Sequence, residues 1–368
     1  MGRPKVVLVI DGPDPDNYLA LLAALSQFMC YELVAVIMTG RPVSAVTSLP
    51  AHVYNPHASR AVRRDNALHA KGILMRHGGE NVPVFTGGMA TYSTVPHHMH
   101  IHERVTDVFD DAHAGHVLAG ELEDAILYLA SLEDVVHVIC GGPLTDVSRL
   151  MSHPLLMGRL GIATAQLGMF GFNSRVQTNA GGRRQFNALA DPKAAWDVLM
   201  RYPNAFYMIP TDITKDPELG FRSADDFESL SSSSAATELA AMYRMAWPHM
   251  WAKMRNSEGG VGIPAHVHDF HPAELMHYLL LESPMHHMSF SRGGRDQVGR
   301  YSLSPVGIEH VPHQEHEIDR WGEIDLGPMQ ENMPLRFVTD GCENSQHRSI
   351  LSAVLNNIYT NAPLPAFV

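Results

Sequence analysis

Val6-Val-Leu-Val-Ile10 is a β-branched apolar run, Asp11-Gly-Pro-Asp-Pro-Asp-Asn17 follows it at once, and Tyr18-Leu-Ala-Leu-Leu-Ala-Ala-Leu25 has helical composition. This is strand, loop, helix. Leu33-Val-Ala-Val-Ile-Met38 reads as a second strand, ending in Thr39-Gly40-Arg41-Pro42, so the opening forms a βαβ unit and predicts a parallel sheet. The alternation recurs downstream: a helix over 121–132, a strand over 135–140, a helix from Pro143, a strand over 162–167, a helix over 191–201 capped by Asp191, and a strand over 206–210. The expected fold is therefore α/β, a mostly parallel central sheet flanked by helices in a single domain. In such sheets ligands bind beyond the carboxyl ends of the strands, where the polar residues after several strands converge.

The composition agrees. Of 368 residues, 45% are apolar and 18% charged, enough to fill an interior and too apolar for extended disorder. With 27 Lys and Arg against 39 Asp and Glu, a net charge of -12 argues against a nucleic-acid polymer as partner. Cys30, Cys140 and Cys342 are far apart in the sequence and outside any CxxC spacing, which fits reduced thiols in a cytoplasmic protein. The apolar run before Asp11 is too short for a membrane span or a signal-peptide core. Residues 223–260, with a serine run followed by a Met- and Trp-rich helical pattern, read as a helical lid or insertion near the site, and 300–368 as C-terminal elements packing back on the core.

Four stretches carry chemistry. Asp11, Asp14 and Asp16 crowd a loop stiffened by two prolines, and carboxylates so close repel unless a hard divalent cation or a proton sits among them; alternatively, Asp16 and Asn17 cap the helix that follows. No GxGxxG or GxxxxGK follows the strand, so a dinucleotide or P-loop reading fails. The second stretch is Cys140-Gly-Gly-Pro-Leu-Thr145-Asp146. The third runs from Asn179 through Gln185-Phe186-Asn187 to Asp191-Pro192-Lys-Ala-Ala195 and on to Thr211-Asp212-Ile-Thr214; neutral amides suit sugar hydroxyls because they both donate and accept. The fourth is His266-Val-His268-Asp269-Phe270-His271, leading into a late helix.

In that order the four stretches resemble the DxDxGxDD, GPLTN, GN/EFN/DPxAA and late His-Asp motifs of the inosine-uridine nucleoside hydrolase family. The resemblance spans roughly residues 5–285. It implies a Rossmann-like fold, one Ca2+ per site, and hydrolysis of the N-glycosidic bond of a nucleoside, in a homodimer or homotetramer. It further implies Asp11 as general base, His268 as the group facing the leaving base, and Asp11, Asp16, Asn17, the Thr145 carbonyl and Asp269 as metal ligands. Asp16, Asn179, Gln185 and Asn187 would hold the ribose. Apart from the resemblance, Tyr243, Trp247 and Trp251 recur at i, i+4 and i+8 on one helix face, a pattern that suits a core stripe or a helix from which Tyr243 or Trp247 closes over the base.

Departures from the family pattern all push one way. Asn17 stands where the family has a second aspartate, Gln185 where it has a glutamate, and Arg41 where it has an asparagine, so the site is less negative than its relatives'. Arg41 would oppose cation binding or else contact an anionic substrate or Asp14, so an anionic or modified ribosyl ligand, or a member that binds without hydrolysing, is an alternative, as is another metal-dependent α/β hydrolase. The run His97-His98-Met99-His100-Ile101-His102 has the residue types of a transition-metal site and equally suits an exposed loop.

Overall fold

The computed structural model describes residues 2–11, 15–40, 56–90, 116–172, 184–214, 216, 225–242, 244, 296–298, 301–328, 335–340 and 344–358. The strands in chain order are β1 (Lys5–Ile10), β2 (Glu32–Gly40), β3 (Val84–Met89), β4 (Gly120–Glu121), β5 (Val136–Cys140), β6 (Leu160–Gln166), β7 (Phe206–Ile209), β8 (Asp296–Val298), β9 (Tyr301–Pro305), β10 (Gly307–His310), β11 (Asp325–Gly327) and β12 (Leu335–Asp340). Their sheet order is β4-β3-β2-β1-β5-β6-β7-β12-β9-β8, with β10 and β11 forming a separate hairpin. From β4 through β12 every neighbouring pair is parallel, and β9 and β8 extend the edge antiparallel. The expected parallel α/β sheet is present.

The order places a topological switch beside β1: the chain first builds outward through β2 and β3, then returns to lay β5 on the other flank of β1. Such a reversal opens a crevice between the carboxyl ends of the two central strands. Here it lies between Asp11, which follows β1, and the Gly141-Gly142 turn, which follows β5.

Strand side chains alternate between two layers. Val6, Leu8 and Ile10 of β1 face a core shared with α1 (Pro15–Leu25), α2 (Pro56–Arg76), a helix over 234–242 and the C-terminal helix Asn344–Asn356. Val7 and Val9 face the other core, with α3 (Leu122–Ser131), α4 (Thr145–Ser152), α5 (Phe186–Ala190) and α6 (Pro192–Arg201). We number α7 (Thr211–Thr214), α8 (Asp225–Leu230), α9 (residues 234–242) and α10 (Asn344–Asn356) accordingly.

The described part of the serine-rich segment is well anchored. Ala235, Ala236, Leu239 and Ala240 of α9 are buried, and Glu238 sits between Arg76, at the end of α2, and His77, whose Nε2 lies 2.6 Å from Glu238 Oε2. Burial raises the Glu238 pKa, but hydrogen bonds from His77 and Arg76 outweigh it and hold the carboxyl below its ordinary value. The α10 helix has Leu351, Val354 and Leu355 in the core, and Ser26 Oγ donates to the Val354 carbonyl at 2.7 Å. Among the described residues no helix is long and apolar enough to cross a membrane.

Candidate active site

Asp11 is 3% exposed and Asn17 2%, although both lie at the mouth of the sheet. Asn17 is in the first turn of α1, yet its side chain turns back, and Nδ2 donates to Asp11 Oδ1 at 3.2 Å. The amide thus meets Asp11 as a donor instead of capping the helix. Its other end, Oδ1, is buried without a hydrogen-bond partner among the described residues. A buried acceptor left this way costs on the order of 1–3 kcal/mol unless something enters to meet it. Asp16, one residue earlier, is half-buried.

The turn after β5 is shaped around Asp11. A Cβ on Gly142 would lie 2.7 Å from Asp11 Cβ and 3.1 Å from its backbone nitrogen, so the two segments touch only because residue 142 has no side chain. The Cys140 thiol donates to the Gly142 carbonyl at 3.2 Å, and its burial pushes its pKa up, keeping it a thiol. Thr145 opens α4 and commits its hydroxyl to Asp191 Oδ2 at 2.7 Å. The other oxygen of Asp191 caps α6 through the Ala194 N–H.

The amides of the third motif are also tied down. Asn187 Nδ2 donates to Gly141 O at 3.0 Å and to Gln166 O at 2.9 Å, joining the ends of β5 and β6. Gln185 caps α5, its Oε1 accepting from Ala188 N at 3.0 Å. Asn187 therefore keeps only its amide oxygen for a ligand, and Gln185 keeps its NH2 group.

Two carboxylates whose roles were not read from the sequence stand on the same rim. Asp146 is fully buried, accepting from Thr39 Oγ1 at 2.6 Å and Gly88 N at 2.6 Å, so it fastens the ends of β2 and β3 to the start of α4. Burial pushes its carboxyl up to about 6, against the pull of those bonds and of Arg149 and Arg63. Asp212, also fully buried, accepts from Phe170 N at 2.7 Å and Phe172 N at 2.9 Å. Both acids follow a threonine just after a strand, the position from which a carboxylate can reach a neighbouring strand's end; that is the signal the sequence offered.

Of the residues singled out from sequence, Asp11 and Asn17 are in direct contact, and Thr145, Gln185 and Asn187 lie on the flank formed by β5 and β6. Asp14, Arg41, His97, His98, His100, His102, Asn179, Tyr243, Trp247, His268 and Asp269 lie outside the described residues. Among the described residues no three His, Cys, Asp or Glu side chains gather as a metal site. The donor chemistry at Asp11 and Asn17 nonetheless fits a hard cation: it is oxygen-based, buried, and includes an acceptor without a partner.

No family model matches the chain, and no curated protein matches it significantly by sequence. Solved structures do. A plant nucleoside hydrolase superposes with a TM-score of 0.62 at 15% identity, over 96% of this chain and 99% of its own. An inosine-guanosine nucleoside hydrolase gives 0.63 at 12%, over 96% and 98%. The type III effector protein XopQ, solved with adenosine diphosphate ribose, gives 0.62 at 14%, over 96% and 93%. Across nearly its whole length, the chain has the fold of the nucleoside hydrolases.

Proposed function

We propose that the protein hydrolyses the N-glycosidic bond of a ribonucleoside, giving ribose and free base. The observation that carries this reading is the buried Asp11–Asn17 pair at the switch point, whose amide oxygen has no hydrogen-bond partner among the described residues and is an acceptor suited to a cation or a ligand hydroxyl. The motif order and the shared fold support it. Ca2+ would be held by Asp11, Asp16, Asn17, the Thr145 carbonyl and Asp269, and would supply a more acidic water and a grip on the ribose diol.

Cleavage passes through an oxocarbenium-like sugar, so the protein must provide a nucleophilic water, hold the sugar and neutralise the departing base. Asp11 accepts the proton of the attacking water. Asn187 accepts from one ribose hydroxyl through its remaining oxygen, Gln185 donates to another through its NH2, and Asn179 completes the set. His268 protonates the base as it leaves, while Tyr243 and Trp247 cover its ring. The proposed assembly is a cytoplasmic homodimer or homotetramer.

The test is a base-release assay over purine and pyrimidine nucleosides, their 5'-phosphates and their 2'-deoxy forms, with and without chelator. Release from ribosides, weakened by chelator and by loss of the 2'-hydroxyl, is the expected result. Equal rates on deoxy substrates would overturn the diol grip.

The neutral partner of Asp11 favours a second reading, in which the chain binds an anionic ribosyl ligand without cleaving it; XopQ, a neighbour in fold, was solved with adenosine diphosphate ribose. Tight binding of that ligand with no adenine released would select it.

A further inference from the structure

The turn after β5 does not stay on its own side of β1. Gly141 N donates to Val9 O at 2.8 Å and Gly142 lies against Asp11, so the segment leaves β5 across the end of β1. A few residues on, the Asp146 carboxylate accepts from Thr39 Oγ1 of β2 and from Gly88 N of β3, both at 2.6 Å. β2 is two strand spacings from β5, about 10 Å, with β1 between them. Residues 141–146 therefore form a strap over the carboxyl end of β1, with Asp11 in contact with it. The far anchor is also close to the acid: Ile10 pairs with Met38, which sets Thr39, the next residue, beside Asp11. The charges of Asp11 and Asp146 both act on the Cys140 thiol, at the start of the strap.

Asp146 lies in the first turn of α4, yet both of these bonds leave the helix. Burying a carboxylate completely is costly unless hydrogen bonds and opposite charge meet it, and here they come largely from other elements. Arg63 of α2 and Arg149 of α4 supply the charge. The end of β3 is shaped to admit the acid: a Cβ on Gly87 would collide with Oδ2, and one on Gly88 would come within 3.1 Å of Oδ1. Arg63 Nη1 donates to the Gly87 carbonyl and fastens the same strand end to α2. An apolar residue at 146 would serve the packing of α4; an acid with two oxygens meets two strand ends at once.

We infer that Asp146 is a positioning residue for Asp11: through Thr39 and Gly88 it moors the far end of the 141–146 strap, and the moored strap fixes where Asp11 stands against Gly142. The inference rests on the reading of Asp11 as the base of the proposed hydrolysis. The near end of the strap is held by β1 and β5 themselves, through Gly141 N, so the Asp146 anchor is what keeps the middle from lifting. A base displaced by about 1 Å loses on the order of a hundredfold in rate, so an anchor that touches no substrate still governs turnover.

The experiment compares the full chain with D146A, D146N and T39V, in base-release kinetics corrected for the folded fraction and in crystal structures. D146A should lower kcat about a hundredfold and leave KM within about threefold, since the strap moves the base and not the sugar contacts. D146N should return kcat to within about threefold, because the amide oxygen can accept from Gly88 N and the NH2 can donate to the Thr39 hydroxyl. T39V, which loses one anchor and keeps the other, should fall between them and serves if D146A does not fold. An original kcat in D146A and T39V, or D146N as impaired as D146A, overturns the mooring. If the unsubstituted chain releases no base, the hydrolytic reading fails separately, and the crystal structures still decide the strap: a Gly142–Asp11 contact opened in D146A or T39V upholds it, and an unchanged contact in both overturns it.

Discussion

The two flanks of the crevice use similar polar residues in opposite ways. On the β5–β6 flank, Thr145, Asp191, Gln185 and Asn187 spend their hydrogen bonds on the protein: they cap α5 and α6 and tie adjacent strand ends together. On the β1 flank, Asn17 makes one bond to Asp11 and leaves its oxygen buried and unmet. One flank is scaffold with a few polar atoms to spare. The other holds a buried acceptor with no hydrogen-bond partner among the described residues, the kind of group that a bound ligand can meet.

The largest effect should come from breaking the β1 flank. Asp11→Ala removes the proposed base, so turnover in the base-release assay should fall by at least about a thousandfold with the melting temperature little changed. A variant with the original rate would remove Asp11 from the chemistry. The β5–β6 flank should respond in the opposite sense: Asn187→Ala removes the amide that donates to both the Gly141 and Gln166 carbonyls and should cost roughly 2–4 kcal/mol in chemical denaturation.

A smaller effect sharpens the scaffold side through pH. His137 of β5 is neutral because Ile162 N donates to its Nδ1 at 3.0 Å and burial lowers its pKa from 6.5 to about 4. Between those values the folded chain binds fewer protons than the unfolded one, so stability rises with pH and is lost as pH falls through the window. Thermal melts from pH 7 to pH 4 should show this loss, about 2 kcal/mol of it absent in His137→Asn. The smallest change should be Asn17→Ala, which deletes an unmet oxygen along with one hydrogen bond and should cost no more than about 1 kcal/mol, less than Asn187→Ala. A larger cost would mean that Asn17 is scaffold after all.

The strongest local signals carried the fold. The β-branched run before Asp11 and the small-residue helix after it are buried on both sides, which leaves a nearly unbroken apolar string to read. By contrast α2, whose segment is rich in His, Arg, Lys and Asn, went unread because its core contacts are spread thinly over a polar helix. β3 was missed too; it is short, and Gly87 and Gly88 lie in it because the Asp146 carboxylate packs against them. For the site, sequence located the polar residues better than it told their duties. Gln185 and Asn187 were legible as amides near a strand end, but only packing shows that most of their hydrogen-bonding capacity goes to backbone groups from segments distant in sequence.

Gly142 carries a consequence for how this crevice tolerates change. Because Asp11 rests against its α-carbon, even alanine there would displace the acid before disturbing anything else. Position 142 therefore acts as a gauge for the gap beside Asp11, and a mutational scan would find it intolerant for reasons of spacing, not of chemistry.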